Sequence, residues 1–128
     1  MNTKSQVLIT VELDENKLPV SIKWTTAAPQ SPNGEVSAPH SPGGEESSAS
    51  CKSFMLNVWD EKEGNTMSLH LWTDKMLTTE MVQFIHQSML SQAETLQRAT
   101  NNEPLVKELY DFCHRFATKA GILSKPAV

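Results

Sequence analysis

Residues Met67-Ser68-Leu69-His70-Leu71-Trp72 alternate apolar and polar side chains. Thr73-Asp74-Lys75-Met76 then leads into Leu77–Thr100, a long segment without Gly or Pro. Met81, Ile85, Met89, Ala93, Leu96 and Ala99 fall three or four residues apart there, which places them on one stripe of a helix. A half-buried strand that feeds a long amphipathic helix points to an α+β domain.

Working toward the N-terminus, the same period-two signal recurs three times. Val7, Ile9, Val11 and Leu13 alternate with Leu8, Thr10 and Glu12, and Asp14-Glu15-Asn16-Lys17 supplies a polar turn. Val20, Ile22 and Trp24 alternate with Ser21, Lys23 and Thr25, which completes a first hairpin with Pro19 at the start of its second strand. Phe54, Leu56 and Val58 then oppose Met55, Asn57 and Trp59. The turn Asp60–Asn65 joins them to Met67, Leu69 and Leu71, giving a second hairpin whose main apolar face reads as core. Toward the C-terminus, Thr78 or Thr79 reads as the cap of the first helix, and Asn101-Asn102 breaks it. Asn102 or Glu103 precedes Pro104 at the first turn of a second helix, with Leu105, Leu109, Phe112 or Cys113, Phe116 and Ala120 as its stripe and Gly121 after its end. The expected fold is a four-stranded antiparallel sheet of two hairpins followed by two helices.

One segment breaks the pattern. Residues 27–50 are mostly Pro, Ser, Gly, Ala and Glu, with Val36 their one sizeable aliphatic residue, and hold four of the seven prolines and three of the five glycines. Such a composition does not bury enough apolar surface to offset its ordering entropy. The chain therefore reads as one domain over residues 1–128, with 27–50 a disordered loop between the hairpins. Glu35, Glu45 and Glu46 lie in that loop without a Lys or Arg, so the net charge of −4 belongs mostly to it. The rest is close to neutral and carries no basic footprint for nucleic acid or an anionic membrane. No apolar run spans a bilayer, and the N-terminus lacks a signal-peptide core, so the cytoplasm is the expected location.

Chemistry is sparse. His40 lies in the loop, and His70, His86 and His114 sit on separate elements without ligand spacing. Cys113 falls on an apolar stripe beside Phe112 and Phe116 and reads as an inert core thiol, while Cys51 has no oriented base beside it. The pairs Asp14-Glu15 and Asp60-Glu61 both sit in turns, where solvated carboxylates are the ordinary reading. No phosphate loop, HExxH or GxSxG occurs. The expectation is a protein that is not an enzyme, with no catalytic residues, metal or cofactor. Trp24 shares the phase of Val20 and Ile22 and reads as core. Met55, Trp59 and Trp72 share the second face of the second hairpin, which reads either as a candidate interface, with another protein or in a homo-oligomer, or as a second core layer covered by the second helix or the loop.

Some 88 positions, Val7–Thr26 and Lys52–Lys119, resemble the gliding-motility protein family GldC. The resemblance rests on Leu13-Asp14-Glu15-Asn16-Lys17-Leu18-Pro19 with Ile22 and Trp24, on Trp59-Asp60, and on Leu71-Trp72-Thr73 with Met76. It continues through Glu80-Met81, Phe84, Gln87, Ala93, Thr95 and Arg98-Ala99-Thr100 to Asp111-Phe112-Cys113 with Phe116. It implies a small cytoplasmic accessory protein of surface-gliding bacteria, supporting the gliding and secretion apparatus by stabilising a lipoprotein partner, with no catalytic residues to carry over. Separately, four antiparallel strands followed by two helices look like a subunit of the export chaperone SecB, which implies the alternative of a binder of unfolded or exported chains.

Overall fold

The computed structural model describes residues 2–27 and 47–122 and is α+β. The chain divides into two compact units, Met1–Met76 and Leu77–Val128. The first holds the strands β1 (Gln6–Leu13), β2 (Pro19–Ala27), β3 (Ser47–Cys51), β4 (Ser53–Trp59) and β5 (Thr66–Trp72). The second holds the helices α1 (Thr78–Thr100) and α2 (Glu103–Ala120).

Asp14 shapes the first turn by accepting the N–H groups of Asn16 and Leu18 on Oδ1 at 2.8 and 2.9 Å, while Lys17 takes a left-handed φ of 62°. The register then pairs Ile9 with Trp24 and Val11 with Ile22, slipping once between Glu12 and Leu13. Ile22 is fully buried, as its phase predicts, and burial of such a side chain stabilises by about 1.5–3 kcal/mol.

The single four-stranded sheet is not formed. There are two antiparallel sheets, β1-β2-β3 and β4-β5. The extra strand, Ser47-Ser48-Ala49-Ser50-Cys51, pairs with Thr26 through Ile22 and occupies the end of the segment expected to be loop. Its side chains are too small to carry an apolar alternation, so its strand character lies in the backbone ladder alone. Of the rest of that segment, Ala27 closes β2, and 28–46, with His40, lie outside the described residues. Lys52 separates β3 from β4, and its carbonyl accepts the Thr73 N–H at 2.8 Å, one step beyond β5.

In the second unit, α1 and α2 form an antiparallel hairpin through Asn101 and Asn102. Asn101 closes α1 with φ 51°, and Asn102 caps α2 by accepting the Leu105 N–H on Oδ1 at 3.2 Å. Neither Thr78 nor Thr79 caps α1. Leu77 holds that position without a side-chain acceptor, and the Glu80 carboxylate takes up its N–H at 3.0 Å. The buried seam is Ala93 on α1 against Val106, Cys113 and Ala117 on α2. The seam is therefore turned about one residue from the expected α2 stripe, which leaves Leu105 and Phe112 exposed.

Candidate functional site

The β4–β5 ribbon carries the most unusual surface in the described chain. Its turn is set by Asp60, whose Oδ2 accepts the N–H groups of Lys62 and Glu63, and by Gly64, whose φ of 65° suits a residue without Cβ. The carboxylate is thus occupied in holding backbone and is not an acid–base pair with Glu61. The register runs Ser53↔Trp72, Phe54↔Leu71, Met55↔His70, Leu56↔Leu69, Asn57↔Ser68, Val58↔Met67 and Trp59↔Thr66.

One face of this ribbon is a ladder of three apolar pairs: Phe54–Leu71, Leu56–Leu69 and Val58–Met67. These side chains read as core, but four of them are exposed: Leu56, Val58, Leu69 and Met67, the last at 62 %. The other face bears Met55, Trp59 and Trp72. Trp59 and Trp72 are exposed at 69 % and 55 %, and Met55 is half-buried. The two tryptophans are not neighbours. They occupy the two end pairs, six positions or about 20 Å apart. Between them lies a polar cluster in which Asn57 Oδ1 accepts the Ser68 hydroxyl at 2.7 Å and lies 3.4 Å from His70 Nε2. Hairpin arithmetic would have shown this separation, since a turn at 60–65 puts Trp59 at the tip and Trp72 at the far end.

Neither β4 nor β5 contains a charged residue, whereas the turn holds Asp60, Glu61 and Glu63 against Lys62. The surface is a neutral apolar ribbon with an acidic tip. Elsewhere, Trp24 is half-buried in the first sheet, and His86 stacks on Phe116 at 6.1 Å inside the helical hairpin. Among the described residues no three His, Cys, Asp or Glu side chains are grouped to hold a metal. Burial pushes the thiols of both Cys51 and Cys113 up, with smaller opposing hydrogen bonds, so neither is primed as a nucleophile despite Lys52 and Lys75 lining the hollow beside Cys51. A groove of about 560 Å³ between the start of α1 and the end of α2 is lined by Val82, Gln83, His86, Gln87 and Ile122 among others, without an acidic or basic pair to do chemistry. No helix among the described residues is long and apolar enough to cross a membrane.

A family model described as "Gliding motility-associated protein GldC-like" matches residues 35–122, more than two thirds of the chain. The chain belongs to the GldC-like family. The match takes in β3, the whole β4–β5 ribbon and both helices, and leaves β1 and β2 outside it. Comparison with curated proteins and with solved structures gave no match. The ribbon is therefore a GldC-like feature by position, and the five strands in two sheets depart from the four-strand order on which the likeness to a SecB subunit rests.

Proposed function

We propose that this GldC-like protein is a non-enzymatic accessory protein of the gliding-motility and secretion apparatus that acts in the cytoplasm by binding another protein. The observation that carries this reading is the exposed apolar ladder of β4–β5, with an exposed tryptophan at each end of its opposite face. Contiguous apolar surface of this kind marks an interaction site, and tryptophan is the side chain most enriched among interface anchors. The acidic tip at Asp60, Glu61 and Glu63 suits a partner whose apolar patch is bordered by basic groups. A lipoprotein of the gliding system is the partner that the GldC resemblance implies, with stabilisation of that lipoprotein as the role.

A chaperone-like reading draws on the same ribbon, because an exposed strand edge beside apolar side chains suits an extended peptide. The two readings separate in one experiment. Full-length protein is used as bait in a gliding bacterium that encodes it, beside a Leu56→Asp, Val58→Asp variant that alters the apolar ladder on β4 and leaves β5 intact. Capture of one lipoprotein at fixed stoichiometry by the wild type, lost in the variant, is the expected result. Absence of any stoichiometric partner, with delayed aggregation of unrelated unfolded proteins, would replace the accessory reading by the chaperone one.

A further inference from the structure

The β4–β5 ribbon has a second property, which lies in its edge. Two turn and end bonds fix the direction of every backbone group in β5. Thr73 N–H donates to the Lys52 carbonyl, and Asp60 N–H donates to the Asn65 carbonyl at 2.9 Å. Both pairs continue the β4–β5 register at either end. In an antiparallel ladder every second pair exchanges hydrogen bonds, so Phe54–Leu71, Leu56–Leu69 and Val58–Met67 are the bonded pairs. The short Ser68–Asn57 side-chain bond agrees, because non-bonded pairs bring side chains closer. The N–H and C=O groups of Thr66, Ser68, His70 and Trp72 consequently point to the outer edge of β5.

That edge is open. β5 pairs only with β4 among the described residues, and every residue but Leu71 is exposed. Natural sheets blunt such edges with Lys, Pro, other charges or bulges. Thr66-Met67-Ser68-Leu69-His70-Leu71-Trp72 has none of these, and its register is unbroken. β1, by contrast, carries Glu12 and a register slip at its end. The first half of β4 is partly covered, and the strand follows β3 after one residue.

We propose that β5 pairs antiparallel with β5 of a second copy of this chain, across a twofold axis at Leu69. The sequence is self-complementary about that point. Leu69 meets Leu69, Met67 meets Leu71 on the same apolar face, and Ser68 meets His70 on the polar face. Leu69 is also the midpoint of the strand, so all seven residues pair, as an isologous contact requires. The outward groups of Thr66, Ser68, His70 and Trp72 then form about eight hydrogen bonds. Leu69 lies in a non-bonded pair, with the two Cα atoms about 4.5 Å apart. The result is a four-stranded sheet, β4-β5-β5-β4, in which two apolar ladders merge.

The geometry makes a self-contained test in full-length protein with Cys51→Ser. A Leu69→Cys chain places two thiols across the twofold axis within disulfide reach, and mild oxidation is expected to convert most of it to a covalent dimer. Met67→Cys alone meets its own copy four positions away, about 13 Å, and stays unlinked. An equal mixture of Met67→Cys and differently tagged Leu71→Cys chains forms the mixed disulfide, a readout that leaves Leu69 intact. Wild-type protein sediments as a dimer, and Leu69→Lys, with two like charges on the axis, sediments as a monomer with unchanged far-UV circular dichroism. A wild type that stays monomeric at high concentration overturns the proposal. So does a dimer in which neither Leu69→Cys nor the mixture cross-links. Either result leaves capture of a gliding-system partner as a separate measurement.

Discussion

Asp14, Asp60, Cys51 and Cys113 show how much a single residue's neighbours decide. Both aspartates spend their carboxylates on backbone N–H groups of their own turns, which is legible in sequence because short polar side chains before a turn do this wherever they occur. Cys113 is legible too, since it sits on a helical stripe between Phe112 and Phe116 and the structure buries it. Cys51 is half-buried, because pairing with Ile22 draws it into the first sheet. Burial raises both thiols above the ordinary cysteine value, so each forms thiolate only at higher pH than a free cysteine. In the native protein at pH 8, an alkylating reagent should label Cys51 more slowly than a free thiol. It should label Cys113 only after denaturant is added. Rapid labelling of both sites, followed by mass spectrometry of the peptides, would show that the seam between the helices opens.

At the level of elements, the two hairpins follow from alternation and turn residues, and the break between the helices from Asn101 and Asn102, whereas Leu77 holds the cap position of α1 in place of the expected threonine. What alternation missed was β3, whose Ser and Ala side chains give no pattern, and with it the division into two sheets. On α2 the sequence stripe holds at Cys113, with Leu109 and Phe116 half-buried, and differs at Val106 and Ala117, which are buried in place of Leu105 and Ala120. Leu105 and Phe112 carry a stronger apolar signal than Val106 and Ala117, but they lie on the exposed side of α2. This reading has a direct consequence. Ala93 is wholly buried at the seam while Ala99 is exposed on the same helix. Ala93→Leu forces extra volume into a packed contact and should destabilise by about 1–3 kcal/mol, whereas Ala99→Leu should change little. Thermal unfolding of the two variants checks this, and equal small shifts would mean that the helices do not close on Ala93.

At the scale of the whole molecule, the exposed tryptophans make a prediction that depends on their separation. The sequence places Trp59 and Trp72 on one face, and only the register puts a polar Asn57–Ser68–His70 cluster between them. Within one chain, two anchors about 20 Å apart cannot fill one pocket, so a partner that takes the tryptophan-bearing face of a single ribbon meets them as two independent contacts. Truncation of such an anchor typically costs about 2 kcal/mol, roughly a thirtyfold loss of affinity. Sites this far apart with no shared neighbours behave additively. Trp59→Ala and Trp72→Ala should each weaken binding of the partner captured by the wild type, and the double variant should lose close to the product of the two single losses. Sedimentation of Trp59→Ala should stay that of the wild type, because Trp59 lies on β4, away from the open edge of β5. Titration of the purified partner measures all three affinities. If the double variant binds as well as the weaker single one, the tryptophans act through one shared contact, and the partner does not span this face.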